Sequence, residues 1–597
     1  MSQDPERNST TPTGWHFWIG RSKSEIEQLA KDAGERVINV QVNSTSPLLF
    51  NVVMVKNQAP YARTGGWSHG SEAEVTAMIN AQKGRLIDLD PFTVNGQRHF
   101  AFVWVRNEGE AGKTWHWNYD LTADQVTDEI NKFEIRLIDL HAYLVSGQRR
   151  YSYIGIINQG VDGKGWWWYP DVTPQFVQQE AEKNKARLIS VNHSGTGLMT
   201  VVMQHNDEGA YSRHVHNYTL IDLRRLQASN GLRITDLQEY KVNGQTRYTA
   251  TLIDNATAEN RRIRSIWRSS TMANAPSGND AWFGIFAKEV NGAVDVGLAH
   301  HLTFQPLSVL KLVPHLYVMD LLDKDPGVDL LDDPNGISWT SLKGKPDEIY
   351  CPFRDAGAAT QTNTESLRKT LTRGLGESLN RAHEALVNKY GSTAINARIH
   401  AMGLTDTNVF PGCPQPSGQK DWTSNTTTLT DLSRLFEGVD AKQFFPHHWD
   451  KVSVEFYGLM ANWDVKGGIK AVLVDEAAKA GKSAIVDSFM TKVTLNGKGG
   501  GTIIPQADGT FQGGRAFFGR LELPFATGPN KTITIKTFVG GYFVDNFTAP
   551  CNEDEAANSS NATCSNWKKK QDATYQLFFG EPFRVAIRKA VATWPNV

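Results

Sequence analysis

No stretch of the 597-residue sequence approaches the ~18 uninterrupted apolar residues of a membrane-crossing helix, so no membrane span or membrane partner is expected. An excess of either charge is missing too, since 62 Lys and Arg stand against 63 Asp and Glu. Without a basic surplus, neither nucleic acid nor an anionic membrane surface is an expected partner. Cysteine is scarce: there are four residues and no Cys-x-x-Cys pair. A zinc site is therefore not expected, and no metal or other cofactor is assigned. The first fifteen residues are polar and lack an apolar h-region, so a secretory signal is expected to be absent or already removed.

What remains is a core-forming composition, with 40% hydrophobic and 21% charged residues. At ~100–200 residues per domain the length leaves room for two to four domains. Asn-x-Ser/Thr sequons begin at Asn8, Asn43, Asn192, Asn217, Asn255, Asn425, Asn530, Asn546, Asn558 and Asn561. Apart from Asn8, these asparagines are the N-glycosylation candidates. The polar segment from Cys551 to Cys564 would close well as a disulfide-tied surface loop. Together with the even cysteine count, these features predict a secreted, extracellular glycoprotein, expected as a monomer.

Residues 1–265 repeat with a period of about fifty. Arg-Val-Ile-Asn-Val begins at Arg36, Arg-Leu-Ile-Asp-Leu at Arg85 and Arg136, and variants begin at Arg187 and Arg233. Turns such as Val94-Asn95-Gly96 and Val242-Asn243-Gly244 follow, between alternating apolar residues, and predict hairpins. Aromatic blocks come next, at Gly66-Trp67, Trp115-His116-Trp117, Trp166–Tyr169 and His214–Tyr218, each leading into a capped helix. The unit reads strand, hairpin, strand, aromatic strand, helix. Such units bury little alone and must pack on their neighbours in a propeller-like or pseudo-symmetric array. The tryptophans read as a core shared between units, with a ligand platform as the sharper alternative. His214 and His216 occupy the aromatic slot and read as structural.

Residues 266–597 form a different domain. Two strands flank the turn Val290-Asn291-Gly292, and an apolar helix running to about Leu322 follows Ser308-Val309-Leu310-Lys311. Ser-x-x-Lys occurs at Ser308, Ser366, Ser417 and Ser565, but only Ser308 starts a buried helix directly after a hairpin. One turn places Lys311 beside its hydroxyl. A lysine can take a serine proton only where burial or another cation lowers its pKa. Ser378-Leu379-Asn380, in the helical stretch Leu371–Ala382, brings a hydroxyl and an amide, and Lys498-Gly499-Gly500-Gly501 brings a second cation. Glycines there would let a substrate backbone lie along the strand edge, so Gly499 and Gly500 are the substrate-binding candidates.

In this order the motifs resemble the Ser-x-x-Lys, Ser-Asp-Asn and Lys-Thr-Gly signature of class A β-lactamases and penicillin-binding proteins. Leu379 replaces the Asp, and Gly499 replaces the Thr. A further likeness is the stretch from Met402 to Thr407, followed by Asn425–Leu432. Between Gly403 and Asn425, where class A enzymes carry a deacylating glutamate, the only carboxylates are Asp406 and Asp421. Cys351 and Cys413 lie in insertions flanking the second motif, so 351–413 and 551–564 are the simplest pairings.

A tryptophan-rich repeat half joined to a β-lactamase-like half resembles the polyglycine hydrolases, secreted fungal endoproteases that cut Gly–Gly bonds in the linkers of plant class IV chitinases. The resemblance implies an α+β repeat array followed by a β-lactamase-like α/β serine hydrolase. It assigns Ser308 as nucleophile and Lys311 as its base, with Ser378 and Lys498 as proton relay. Asn380 would hold the substrate backbone, and the N–H groups of Ser308 and Gly501 would form the oxyanion hole. The substrate it implies is a glycine-rich protein segment. A β-lactamase, carboxypeptidase or esterase is the first rival. A binding protein with a degenerate hydrolase half is the second.

Overall fold

The computed structural model describes residues 7–109, 112–193, 197–207, 211–224, 231–268, 282–325, 330–413, 420, 422–460, 466–505, 511–528, 530–551 and 562–595. The chain divides into two compact units. One comprises Met1–Gln227 and Gly231–Thr257, the other Ala258–Val597 with Ala228–Asn230.

The first unit contains five three-stranded antiparallel sheets, and its repeat is phased differently from the sequence reading. Each unit opens with the aromatic strand, continues through a helix and closes with the hairpin. Thus Gly65–Gly70, Glu72–Gln82, Gly84–Val94 and Gln97–Arg106 form one unit, and the aromatic strand pairs with the second hairpin strand. The aromatic block therefore belongs to the hairpin that follows it. A fifth block, Trp15-His16-Phe17-Trp18, begins the array.

Local chemistry fixes these elements. Ser22 with Glu25, Ser71 with Glu74 and Thr122 with Gln125 make reciprocal capping boxes, while Thr173 caps a helix starting at Pro174. Both central residues of the predicted turns have positive φ: Asn95 49° and Gly96 77°, Ser146 48° and Gly147 76°, Asn243 49° and Gly244 76°. That is the geometry whose twist matches a two-residue hairpin.

Each hairpin also carries a bulge within the arginine phrase, where the register shifts at Val37/Asn39, Leu86/Asp88, Leu137/Asp139, Leu188/Ser190 and Ile234/Asp236. A bulge re-aims the side chain that follows it. Those side chains close a ring. Val40 N–H donates to Asp88 (2.6 Å), Leu89 to Asp139 (2.9 Å), Leu140 to Ser190 (3.3 Å), Val191 to Asp236 (2.7 Å), and Leu237 back to Asn39 (3.1 Å). A second tier lies two residues further on: Val42 donates to Asp90, Ala142 to Asn192, His193 to Gln238 and Glu239 to Gln41. The missing rung falls at Pro91, which has no N–H. There His141 Nδ1 meets Asp90 directly at 3.1 Å.

Arg7 fills the axis. Its buried guanidinium lies 3.1 Å from Asp88 and 3.5 Å from both Asp139 and Asp236, and it also donates to Ile87 O at 2.8 Å. Burial opposes its charge, but the three carboxylates outweigh burial and raise its pKa. Asp88, Asp139 and His141 alone would make a plausible cation cluster. Here Arg7 supplies the positive charge, together with His141, whose pKa Asp139 and Asp90 lift to about 10 against burial.

The tryptophans act between units. Trp67 meets Phe50, Trp117 meets Phe100 and Trp168 meets Tyr151 edge-on, at 78°, 89° and 77° and at 5.1, 5.7 and 6.1 Å. Each pair joins an aromatic strand to the preceding unit, so the shared-core reading holds for these three.

Two sequons are closed to glycan attachment. Asn192 is buried and accepts from Ala142 N–H, and Asn425 is buried and accepts from Phe410 N–H at 2.7 Å. Asn255 is tied on both sides of its amide to Thr13, and Asn43 donates to Glu239. Asn217 and Asn530 are exposed. Asn558 and Asn561, and the side chain of Asn546, lie outside the described residues.

The second unit is built on a five-stranded antiparallel sheet in the order Val294–Leu298, Trp282–Glu289, Thr532–Ala549, Phe511–Thr527, Thr494–Pro505. One face packs on helices that include Leu312–Lys324 and Leu429–Asp440, the other on helices that include Lys466–Lys479 and Arg584–Thr593. Both expected disulfides are present, Cys351–Cys413 and Cys551–Cys564. Among the described residues no helix is long and apolar enough to cross a membrane.

Arg7→Met leaves three buried carboxylates without their cation and should destabilise the repeat unit by about 3–5 kcal/mol, the usual cost of breaking a buried pair. Calorimetry of the full-length protein should show one transition moved to lower temperature. An unchanged thermogram would mean that the ring closes without Arg7.

Candidate active site

Ser308 does not begin the central α-helix. It lies in a 3₁₀ turn, Leu307–Lys311, which feeds the helix Leu312–Lys324. At three residues per turn, side chains three apart eclipse, and Lys311 Nζ stands 2.9 Å from Ser308 Oγ. Leu307, just before the nucleophile candidate, has φ 53°.

Ser378 is likewise not helical. One helix ends at Leu375 and the next begins at Asn380; Ser378 sits between them at φ 61°. Positive φ at two non-glycine residues marks held backbone beside the site. The turn delivers two groups to Lys311, whose Nζ donates to the Ser378 carbonyl, lies 3.3 Å from Ser378 Oγ, and reaches Asn380 Oδ1 at 2.8 Å. From the far side Lys498 Nζ donates to Ser378 Oγ at 2.8 Å and to Gly499 O at 3.1 Å. All five predicted polar groups are thus joined in one hydrogen-bonded set. Ser366, by contrast, caps the helix Leu367–Leu375 through Lys369 N–H.

Among the described residues no carboxylate pairs with Lys311, and its titration reflects that. Burial alone lowers Lys311 to about 7. Burial and then the charge of Lys311 bring Lys498 to about 7 as well. Each can therefore exchange a proton near neutrality.

The glycines after Lys498 serve the protein first. A Cβ on Gly500 would stand 2.6 Å from Ser308 N, and one on Gly501 would stand 1.9 Å from Arg515 Nη1. Gly499 and Gly500 are buried, and Gly501 is exposed. Gly500 is accordingly needed for the close approach of the Ser308 backbone, a demand the sequence reading assigned to substrate. Thr494–Pro505, which carries all three, is an edge strand of its sheet.

Ser308, Lys311, Asn380 and Gly501 line a cavity of about 670 Å³. Its lining also includes Cys351 and Cys413, His383 and Glu384. Glu384 was not singled out from the sequence. Burial raises its pKa, and its carboxylate accepts from the N–H groups of Gly412 and Cys413. It thereby holds the segment in which class A enzymes place a glutamate. Of the two carboxylates in that segment, Asp406 receives no cavity position, and Asp421 lies outside the described residues.

The model of the β-lactamase enzyme family matches residues 268–490, and that of the polyglycine hydrolase-like structural repeat matches residues 82–107 and 226–251. Each repeat match carries the hairpin with the arginine phrase. Similar solved structures include a class A β-lactamase from Bacteroides cellulosilyticus DSM 14838, at 18% identity over 53% of this chain and 97% of that one, with a TM-score of 0.32. The TLA-3 extended-spectrum β-lactamase follows at 12% identity, 56% and 99% coverage and TM-score 0.35. PBP-A stands at 12% identity, 56% and 97% coverage and TM-score 0.33. Among curated proteins none matches the chain. Joined in one sequence, a polyglycine hydrolase-like structural repeat and a domain of the β-lactamase enzyme family fit the resemblance to the polyglycine hydrolases.

Proposed function

We propose that the protein is a secreted serine endopeptidase that cuts Gly–Gly bonds in glycine-rich linkers, by resemblance those of plant class IV chitinases. The observation that carries the reading is the buried Lys311 amine, with a pKa near 7, at 2.9 Å from Ser308 Oγ. A degenerate binding domain would have no need to keep that costly arrangement.

Neutral Lys311 takes the Ser308 proton as Oγ attacks the peptide carbonyl. The N–H groups of Ser308 and Gly501 receive the developing oxyanion. Ser378, which bridges the two amines, then passes a proton to the leaving amine and is re-supplied by Lys498. The proton that Lys311 took from Ser308 recharges Lys498 through Ser378, so that Lys311 is neutral again in the acyl-enzyme. Asn380 spends its Oδ1 on Lys311, leaving its NH₂ for a substrate carbonyl. A glycine segment offers only backbone to bind, and the exposed end of an edge strand can receive it as an added strand. Such a peptide loses ~1–2 kcal/mol per ordered residue, so a second contact on the repeat unit would help, by raising effective concentration. The disulfides and the exposed sequons Asn217 and Asn530 support an extracellular setting.

Ser308→Ala should abolish turnover with the fold intact. Ser366→Ala should keep full turnover and cost about 1 kcal/mol of stability, the worth of a helix cap. Paired assays and denaturation curves check both, and an active Ser308→Ala would rule out the nucleophile.

Activity should rise with pH up to about 7, because protonated Lys311 cannot accept the serine proton, and fall above it as Lys498 loses the proton that re-supplies Ser378. Lys311→Arg should be inactive at every pH. The same burial has a stability sign. Unfolded lysine keeps its proton to ~10.4, whereas folded Lys311 loses it near 7. Between these values the unfolded state binds more protons, so Lys311 weakens the fold most at and below neutrality, and less as pH rises. Lys311→Met should therefore raise the Tm at pH 7 while removing turnover. A lowered Tm would refute the burial penalty.

Incubation with a chitinase carrying a glycine-rich linker, followed by mass mapping, should show cuts confined to Gly–Gly bonds. Alanine on either side of the scissile bond should slow cleavage sharply. Equal cutting of alanine linkers would dismiss backbone-only selection.

A further inference from the structure

An acyl-enzyme must be released by water, and among the described residues this cavity has no carboxylate at liberty to hold one. Each acidic side chain lining it is already engaged. Asp347 pairs with Arg373 at 2.8 Å, Glu348 with Lys345 at 3.0 Å and Asp355 with Arg354 at 2.7 Å, and Glu384 accepts two backbone N–H groups. His383 is in a different position. It lies three residues beyond Asn380 on the helix Asn380–Tyr390, hence on the same face one turn along. It lines the cavity with Ser308 and Lys311, and its Nδ1 is buried with no hydrogen-bond partner among the described residues. Leaving a buried polar atom unsatisfied is costly, and such an atom in a reactive cavity calls for a ligand.

We propose that His383 holds the hydrolytic water, so that its imidazole is a catalytic residue of the second, deacylating half of the reaction. The inference rests on the acyl-enzyme reading of Ser308. Burial, reinforced by the charge of Lys311, keeps the ring neutral far below its ordinary range, at about 3. A ring so weakly basic orients water and does not carry its proton away. With Nε2 protonated, Nδ1 accepts a hydrogen bond from one O–H of the water. The water oxygen attacks the acyl carbon and forms the new C–O bond, and its other proton passes to neutral Lys311. As the acyl carbon–Oγ bond breaks, Lys311 returns that proton to Ser308 Oγ. The acid product leaves, and both side chains regain their starting protonation. This places the water-holding group on the helix of the second motif and not in the segment where class A enzymes keep theirs.

The full-length protein, with p-nitrophenyl acetate as probe, separates the two halves: p-nitrophenol release reports acylation, and intact mass reports the acetyl group on Ser308. His383→Leu should acylate at the wild-type rate, accumulate the acetyl adduct, and turn over about 10²-fold more slowly, the lower range of a positioned acid–base group. His383→Asn, whose amide can also hold water, should recover part of the loss. Equal turnover in wild type and His383→Leu would overturn the proposal. So would slowing of acylation and deacylation in the same proportion, in both variants, because a packing role predicts that pattern. No acetyl adduct on any form, with Ser308→Ala as reference, would overturn the acyl-enzyme reading itself.

Discussion

Taking the Lys311 ammonium out of water raises the free energy of its charged form, and among the described residues no carboxylate offsets the loss. Its pKa falls to about 7 for that reason, and a serine three residues away has beside it an amine able to exchange a proton near neutrality. Much of the second unit can be traced to this requirement. The helix Leu312–Lys324, itself almost wholly buried, anchors the 3₁₀ turn. The Ser378 turn brings a carbonyl and an amide to the amine without bringing charge. Gly500 lets the edge strand press against the Ser308 backbone, which places Lys498 behind Ser378.

The repeat unit solves the opposite problem with the same physics. Arg7 is as deeply buried as Lys311, yet three carboxylates surround it and its charge is held. The carboxylates are fixed in turn by the N–H groups of neighbouring hairpins. Buried cations in one chain thus end in opposite protonation states, and what decides is whether acids are delivered to them. One arrangement suits proton transfer and the other a permanent lock.

Spacing along one turn was readable without a structure: Ser308 and Lys311 meet wherever the local backbone is helical, whether α or 3₁₀. The hairpins were readable because Asn-Gly and Ser-Gly tolerate positive φ. Phase was not. A periodic sequence has no marked beginning, so fifty-residue periodicity cannot say whether an aromatic strand pairs forwards or backwards, and Trp15–Trp18 stood outside the array until pairing was seen. The fourth position of the arginine phrase, Asn39, Asp88, Asp139, Ser190 and Asp236, looked like an ordinary strand residue because bulges leave no compositional trace. Ser378 was placed in a helix since its neighbours favour one, and only its φ of 61° ends it. His383 and Glu384 carry no motif at all. Their roles come from a cavity wall assembled by the disulfide and by a segment nearly thirty residues distant.

Because the ring is closed by its own first residues, the timing of its birth on the ribosome differs from that of an open solenoid, which can add stable units one at a time. Arg7 emerges early, whereas Thr235, whose carbonyl it finally meets, emerges 228 residues later. Until then Asp88 and Asp139 have left the ribosome without the neighbour that completes their site, and Asn39 has no Leu237 to receive. Nascent hairpins can stack as they appear, but the last unit must arrive before the first is finished. Synthesis therefore exposes a long, half-assembled arc and locks it in a single late step. Gaining or losing one repeat, a change that linear arrays absorb readily, would leave this ring unable to shut.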